Sequence, residues 1–210
     1  MAPKTRDDVI AATIITSVDV DGPTDLAGWD LTGADLSNLN LIDVDLTGAN
    51  LTGANLTGTC LHRTVLEDSR LDNANLHQAD LTRATVYTTD LTGANLTEAT
   101  LAGVELHYVF LDAANLTGAN LTGAFLSDTD LTDTNLTAAN FTGAVLNKTP
   151  VTKKQLLPVR GLHRYTLPSN RWSSILPKDP ETRSLALDLL DDWDGTLRDA
   201  IATAENLRAA

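Results

Sequence analysis

The chain has 210 residues, 28 acidic against 15 basic, for a formal net charge of −13. Direct nucleic-acid binding runs against that balance, because neutralising phosphates takes clustered Lys and Arg. One cysteine, Cys60, cannot form an internal disulfide, and four scattered histidines do not make a zinc site, so no metal or cofactor is expected.

At the N-terminus, the apolar run Val9 to Ile15 is too short to span a bilayer and follows Asp7 and Asp8 rather than a basic stretch. No membrane contact and a cytoplasmic location are therefore expected. Residues 1–23 are read as an N-terminal cap, in which "VIAATIITSVDV" at 9–20 covers the edge of whatever follows.

A five-residue repeat then fills residues 24–149. From Leu26 to Leu146 every fifth residue is Leu except Val86 and Phe141, giving 25 repeat centres without an insertion. Two positions before each centre stands a small residue, such as Ala49, Ala54, Ala74 or Ala94, suited to a narrow interior. The residue just before the centre is mostly Asn or Asp, and Thr often follows it. All ten glycines of the array occupy the second position after the centre, which implies a turn with positive φ in each repeat. Proline is absent between Pro23 and Pro150, as expected where neighbouring rungs need every peptide N–H. A period of five fits neither an α-helix nor a simple strand, and a solenoid with a short extended piece and a turn per repeat satisfies it. Trp29 and Leu39, too large for the small-residue position, predict an irregular start.

Beyond the array, residues 150–180 read as a linker punctuated by Pro158, Pro168, Pro177 and Pro180, with Thr152 capping a short helix through Leu157. Residues 181–210 read as a helical tail. Leu185, Leu187, Leu189, Leu190 and Trp193 precede Gly195, and Thr196 is placed to N-cap a last helix with Leu197, Ile201, Ala204 and Leu207 on one side. Packing on the last coil and pairing with a second copy in a homodimer both remain open for this tail.

The units Ala49–Gly53, Ala54–Gly58 and Ala114–Gly118, each spelled ANLTG, resemble the A(D/N)LXX pattern of the pentapeptide-repeat family. The resemblance implies an all-β solenoid, a right-handed quadrilateral β-helix with four repeats in each coil of twenty residues. At a rung spacing of about 4.8 Å the rod would be on the order of 30 Å long.

Taking every twentieth residue separates four faces. The face centred on Leu56, Leu76 and Leu96 carries the column Asn55, Asn75, Asn95 and Asn115, expected to bond from turn to turn. Residues 24–149 hold 16 acids and four bases, so nearly all the negative charge lies on the rod. Two adjoining faces carry a net −10 of it. The first, centred on Leu66, Val86 and Leu106, has Glu67, Asp68, Glu105 and Asp128 among its acids, and the second has Asp72, Asp90, Asp112 and Asp130. On the first face the consensus also breaks down, with Tyr87, His107, Tyr108 and Phe125 in outward positions and Phe110 in the neighbouring column. Aromatics ringed by acids describe a candidate protein-binding surface.

Catalysis has little support: no nucleophile, base and orienting group recur at active-site spacing, no Gly-rich phosphate loop is present, and the thin interior leaves no room for a substrate. Glu105 and His107 form the one suggestive pair, and two residues apart they need not meet. The resemblance to pentapeptide-repeat proteins of the MfpA and Qnr kind implies a DNA mimic that occupies the DNA-binding saddle of DNA gyrase or topoisomerase IV and alters sensitivity to quinolones. Over about 30 Å, duplex DNA carries roughly 18 charges, so the rod's net −12 is about two thirds of duplex density. The 60-residue C-terminal region departs from a simple dimerising helix. The alternative is a scaffold or adaptor that uses the aromatic face or the tail for protein contacts, and a threonine column (Thr57, Thr97, Thr117, Thr137) leaves ice binding as a third, weaker reading.

Overall fold

The computed structural model describes residues 3–19, 24–163, 166–167, 171–172, 175–192 and 196–209. The repeats stack as a parallel β-solenoid with a helical C-terminal part. Asp25 bridges Asp45, Asp45 bridges Val65, and Val65 bridges Thr85, so one coil is twenty residues. The same step runs from Asp30, Asp35 and Asn40, placing four repeats in each coil. Every centre from Leu26 to Leu146, Val86 and Phe141 included, is at most 1% exposed. The core is thus a stack of leucines filled in by the small residues between them.

A single repeat shows why the other positions are what they are. The N–H of Leu51 donates to the Arg70 carbonyl of the next coil at 2.7 Å, that of Gly53 to Asp72 at 2.9 Å, and that of Asn55 to Ala34 of the previous coil at 2.9 Å. Ala54 closes the turn on the Leu51 carbonyl at 2.9 Å. One N–H remains, that of Thr52, and it donates to Oδ1 of Asn50 at 3.2 Å. Five donors thereby find five acceptors, the last only because Asn or Asp precedes the centre. The asparagine column adds the expected ladder, Nδ2 of Asn95 donating to Oδ1 of Asn75 at 2.9 Å. Where threonine takes the small interior position, its hydroxyl reaches the core carbonyl of the coil below, as from Thr59 to Leu36, Thr64 to Leu41 and Thr134 to Leu111, each at 2.8 Å.

The turn inferred from glycine is present in all 25 repeats. The second residue after each centre has φ between +49° and +68°, in ten cases glycine and in fifteen another residue. At Gly53 nothing lies within 4 Å of a hypothetical Cβ, so backbone conformation rather than crowding favours glycine there.

At the N-terminal end, helix α1 (Arg6–Asp19) buries Val9, and the Arg6 guanidinium donates to the Ser37 carbonyl at 2.7 Å. Lys4 lies 5.1 Å from the Trp29 ring centre. Trp29, Ala34 and Leu39 are half-buried here, whereas the equivalent positions of later coils are buried. The last residue of the 9–20 run lies outside the described residues.

At the C-terminal end, Thr152 and Gln155 form a reciprocal cap on the short helix α2 (Lys153–Leu156). Residues 150–180, read above as a linker, contribute buried side chains to the core at several of their described positions. Val151 and Leu156 keep the five-residue step from Leu146 and are buried, as are Val159, Leu162 and Trp172. Arg160 bridges Asn140 on one side and Thr196, antiparallel, on the other. Helices α3 (Pro180–Asp192) and α4 (Leu197–Ala209) pack on each other. Thr196 caps α4, accepting from the Asp199 N–H at 3.3 Å. Leu197, Ala200, Ile201 and Ala204 are buried, but Leu207, expected on the same side, is 58% exposed. The terminal turn is held instead by Arg208, which pairs with Asp179 and, at 2.9 Å, with Glu181. Trp193, Gly195 and Pro168 lie outside the described residues.

Replacing Leu96 by Asp should unfold the rod or lower its stability by more than about 4 kcal/mol, because an unpaired charge replaces a fully buried side chain; thermal melting reads this directly. Asn95→Ala should cost about 1 kcal/mol by orphaning the Thr97 N–H, while Asn95→Asp, which keeps the acceptor, should cost clearly less. A separate expectation concerns acid. The Thr182 hydroxyl and N–H, and then Arg208, hold the Asp179 carboxyl down at about 2 from an ordinary 3.8. A folded value below the unfolded one means the contribution is present above about pH 4 and lost as pH falls toward 2. Protection factors of amides in α3 and α4, taken against intrinsic exchange at each pH, should fall across that window, and Asp179→Asn should remove this part of the dependence.

Candidate functional site

The array's only regular strands, among the described residues, lie on one face: β1 (Thr85–Tyr87), β2 (Glu105–His107), β3 (Phe125–Ser127) and β4 (Val145–Asn147). They form a parallel sheet in sequence order, with Thr85, Glu105, Phe125 and Val145 in one register column and Tyr87, His107, Ser127 and Asn147 in the other. Here β-branched and aromatic residues replace the usual Asn and Thr and favour extended backbone. The turn-closing bond that Ala84 makes to Leu81 at 2.9 Å has no counterpart from Thr89, Val109, Thr129 or Thr149. Because strand side chains alternate, each buried centre turns both of its neighbours outward.

That alternation assembles a row of rings. The Tyr87 and His107 rings lie 5.9 Å apart, and His107 and Phe125 5.4 Å apart. Tyr108 projects from the turn column and meets Tyr87 edge-on at 5.6 Å. Tyr87, Tyr108 and Phe125 are 38%, 49% and 36% exposed, so this apolar surface faces solvent. Val145, missed in the sequence, extends the strip beyond Phe125 at 38% exposure; its twenty-residue spacing from Phe125 was the available signal. Phe110 joins none of these ring contacts and stands alone between Asp90 and Asp130 in the next column.

The acids divide into two groups. Glu67 and Asp68 are exposed one coil below Tyr87 and Thr88, the Thr88 hydroxyl donating to Asp68. Glu105 does meet His107, at 4.0 Å, since both flank inward-pointing Leu106. Asp128 pairs with Lys148 at 3.7 Å. Asp72 accepts from the Thr52 hydroxyl at 2.8 Å and from Arg70 at 3.1 Å, and Asp112 is half-buried. Asp90 and Asp130 have a different character: each accepts the N–H two residues on, from Thr92 at 2.9 Å and Thr132 at 2.8 Å, as Asn50 does. The Thr132 hydroxyl and N–H hold the Asp130 carboxyl below its ordinary value. These two carboxylates close turns as well as adding charge, a distinction that counting charges could not make.

The same face carries backbone strain. Thr88 has φ of 49° and Tyr108 of 55°, left-handed conformations that a β-branched and a bulky aromatic residue rarely adopt. The two stand one coil apart, beside the rings.

The pentapeptide-repeat family model matches eight copies within residues 30–68, 49–86, 59–97, 86–118 and 111–147, which together span more than half of the chain. The chain belongs to the pentapeptide-repeat family. Among solved members, this pentapeptide-repeat chain is similar to a protein of the Arabidopsis thaliana thylakoid lumen, at 27% identity over 74% of this chain and 89% of that one, with a TM-score of 0.47. It is also similar to trypsin-treated QnrB1, a plasmid-mediated fluoroquinolone resistance protein, at 19% identity over 64% and 80%, with a TM-score of 0.47. HetL of the cyanobacterium Nostoc, involved in heterocyst differentiation regulation, matches at 31% identity over 66% and 76%, with a TM-score of 0.26. A comparison with curated proteins finds no match. No helix among the described residues is long and apolar enough to cross a membrane.

Tyr108→Gly should leave the melting temperature unchanged or raise it, because relief of a left-handed residue, about 1–2 kcal/mol, offsets a lost ring pair of about 0.5–1.5 kcal/mol. A clear drop in the melting midpoint would show that the ring carries more of the fold than its contacts indicate.

Proposed function

We propose that this chain is a non-catalytic, acidic rod that acts by binding another protein through its acid-edged aromatic sheet. The observation that carries the reading is the continuous row Tyr87, half-buried His107 and Phe125, joined by Tyr108, on the face where the repeat departs most from its consensus. An interior with no need of aromatics has no structural use for three exposed rings in adjoining coils, and such rings are what interfaces anchor on. Glu67, Asp68 and Glu105 beside them favour a basic partner surface.

We further infer that the coils wind right-handed with four flat sides, as the family pattern implies, so that the two acidic faces adjoin along one edge of the rod. A rod of that charge suits a protein with a basic DNA-binding groove. DNA gyrase or topoisomerase IV is the partner proposed, with altered sensitivity to quinolones or other topoisomerase poisons as the cellular consequence, in the cytoplasm. Electrostatic steering toward such a groove weakens as salt rises. The adaptor reading draws on a different observation: rings have no counterpart in a phosphate backbone, and Asp90 and Asp130 have a folding role of their own.

One variant set separates the two. Asp72, Asp90, Asp112 and Asp130 changed together to Asn keep a turn acceptor where one is needed while removing four charges. Under DNA mimicry these changes should strongly reduce inhibition of gyrase supercoiling at low salt, whereas Asp35 and Asp80 changed likewise should matter far less. Alanine at Tyr87, Tyr108 and Phe125 abolishing partner binding, with the Asn set silent, establishes the adaptor instead. Gyrase untouched at tens of micromolar protein in low salt removes the topoisomerase as partner.

A further inference from the structure

Tyr87 stands at the centre of a ring of carboxylates. The N–H of Leu66 donates to the Thr85 carbonyl and that of Asp68 to the Tyr87 carbonyl, each at 2.9 Å, and Val65 bridges Thr85, so Glu67 lies one rung below Tyr87 in the same column. One rung above, Glu105 is in register with Thr85 and stands diagonally across from Tyr87. Tyr108 meets the Tyr87 ring edge-on from the turn column. Glu67, Asp68 and Glu105 are therefore each a single rung, about 4.8 Å along the rod, from an exposed ring. Their charge is not met within the face. The Glu67 carboxylate has no partner among the described residues, Asp68 takes the Thr88 hydroxyl, and Glu105, 73% exposed at its side chain, reaches only His107 at 4.0 Å. From Val65 to Asp128 no outward position of this face holds Lys or Arg. The cations on its borders are turned to other groups: Arg70 to Asp72 at 3.1 Å, Lys148 to Asp128 at 3.7 Å, and the stem of Arg83 lies over Gly103.

Whatever covers this face must bring positive charge to a place where it also lies on rings. A purely apolar occupant would take three carboxylates out of water with nothing to pair them. Lysine would supply the charge, but its compact ammonium is strongly hydrated and is a poor surface against a ring. A guanidinium is flat and weakly hydrated, so it stacks on an aromatic face while the N–H groups at its edge stay free to donate to carboxylates beside that face. Around Tyr87 such acceptors stand on both sides along the rod, Glu67 and Asp68 below and Glu105 above. Rings and carboxylates in this arrangement match both surfaces of one arginine side chain.

We propose that Tyr87 and Tyr108, with Glu67, Asp68 and Glu105, form a docking site for an arginine side chain of the partner protein. This rests on the reading of the aromatic sheet as an interface and names the residue that anchors there. The test is amide NMR of the full chain titrated with the blocked peptide Gly-Arg-Gly-Arg-Gly, with its lysine and citrulline counterparts as comparators. Citrulline keeps the shape of arginine without its charge. Amides of residues 85–88 and 105–108 should shift saturably with the arginine peptide at up to about 10 mM, with an affinity about threefold above that for the lysine peptide, the scale of an exposed ring contact. The citrulline peptide should leave them unmoved. Tyr87→Leu should erase the preference for arginine over lysine and Tyr87→Phe should retain it, while Glu67→Gln with Glu105→Gln should weaken arginine binding about fivefold, the scale of two exposed ion pairs. Equal affinity for the arginine and lysine peptides overturns the proposal, as does a preference that survives Tyr87→Leu. Shifts that are absent, or no larger here than around Asp35 and Asp80, overturn it too. Failure of the interface reading is a separate result: there the alanine set at Tyr87, Tyr108 and Phe125 leaves partner binding intact. Loss of partner binding in that set, together with equal arginine and lysine affinities, keeps the interface and removes the arginine.

Discussion

Five backbone N–H groups per repeat need acceptors, and a coil that rests on its neighbours supplies only four. The fifth, on the residue after the leucine, lies on the outside of the turn where no carbonyl of a neighbouring coil reaches it, and where Asn or Asp stands two positions earlier its side chain serves. Asn50 for Thr52, Asn55 for Thr57 and Asp80 for Thr82 all do so. Burying leucine drives the collapse, and this requirement favours a short polar side chain before it. Because aspartate answers as well as asparagine, the rod can accumulate negative charge at these positions with no change to its backbone.

That freedom changes how the acidity is to be understood. Asp25, Asp30, Asp45, Asp90 and Asp130 accept a local N–H before they offer charge to anything else. Glu67 and Asp68 stand outside the turn-closing position, and Glu105, which occupies it before Leu106, lies in strand β2 and pairs with His107 instead. They gather around the sheet of β1 to β4, where the turn-closing bonds are missing and the backbone at Thr88 and Tyr108 is strained. On this face the repeat gives up local hydrogen bonding and holds a β-branched and an aromatic residue in left-handed backbone.

Much of the rod was legible because its constraints are local and repeat. Gly confined to one position announced the positive φ, and the leucine period gave the buried centres. The twenty-residue spacing put Tyr87 and His107 one coil apart in one column and Phe125 on the same face. Phe110 was less accessible to such reasoning, because a column assignment does not say which way a ring turns. The meeting of Glu105 and His107 followed from strand alternation around Leu106, which a five-residue turn pattern obscures. Beyond Leu146 the periodic signal fades into prolines, and the continued stacking of Val151 and Leu156 was hidden by the loss of the Asn and Gly positions around them. Leu207 was misplaced because helical spacing gives a face but not how far along the helix a partner extends.

The closed coil makes length a quantised property of this molecule. Removing twenty consecutive residues from the array would shorten it by one storey and leave every remaining column above its own kind. Removing five would advance everything beyond the deletion by one column, carrying Phe125 and Val145 away from Tyr87 and setting Asp130 into their place. Evolution can therefore lengthen or trim the rod by whole coils while preserving the face, but any other change in length dissolves the surface on which the rings meet.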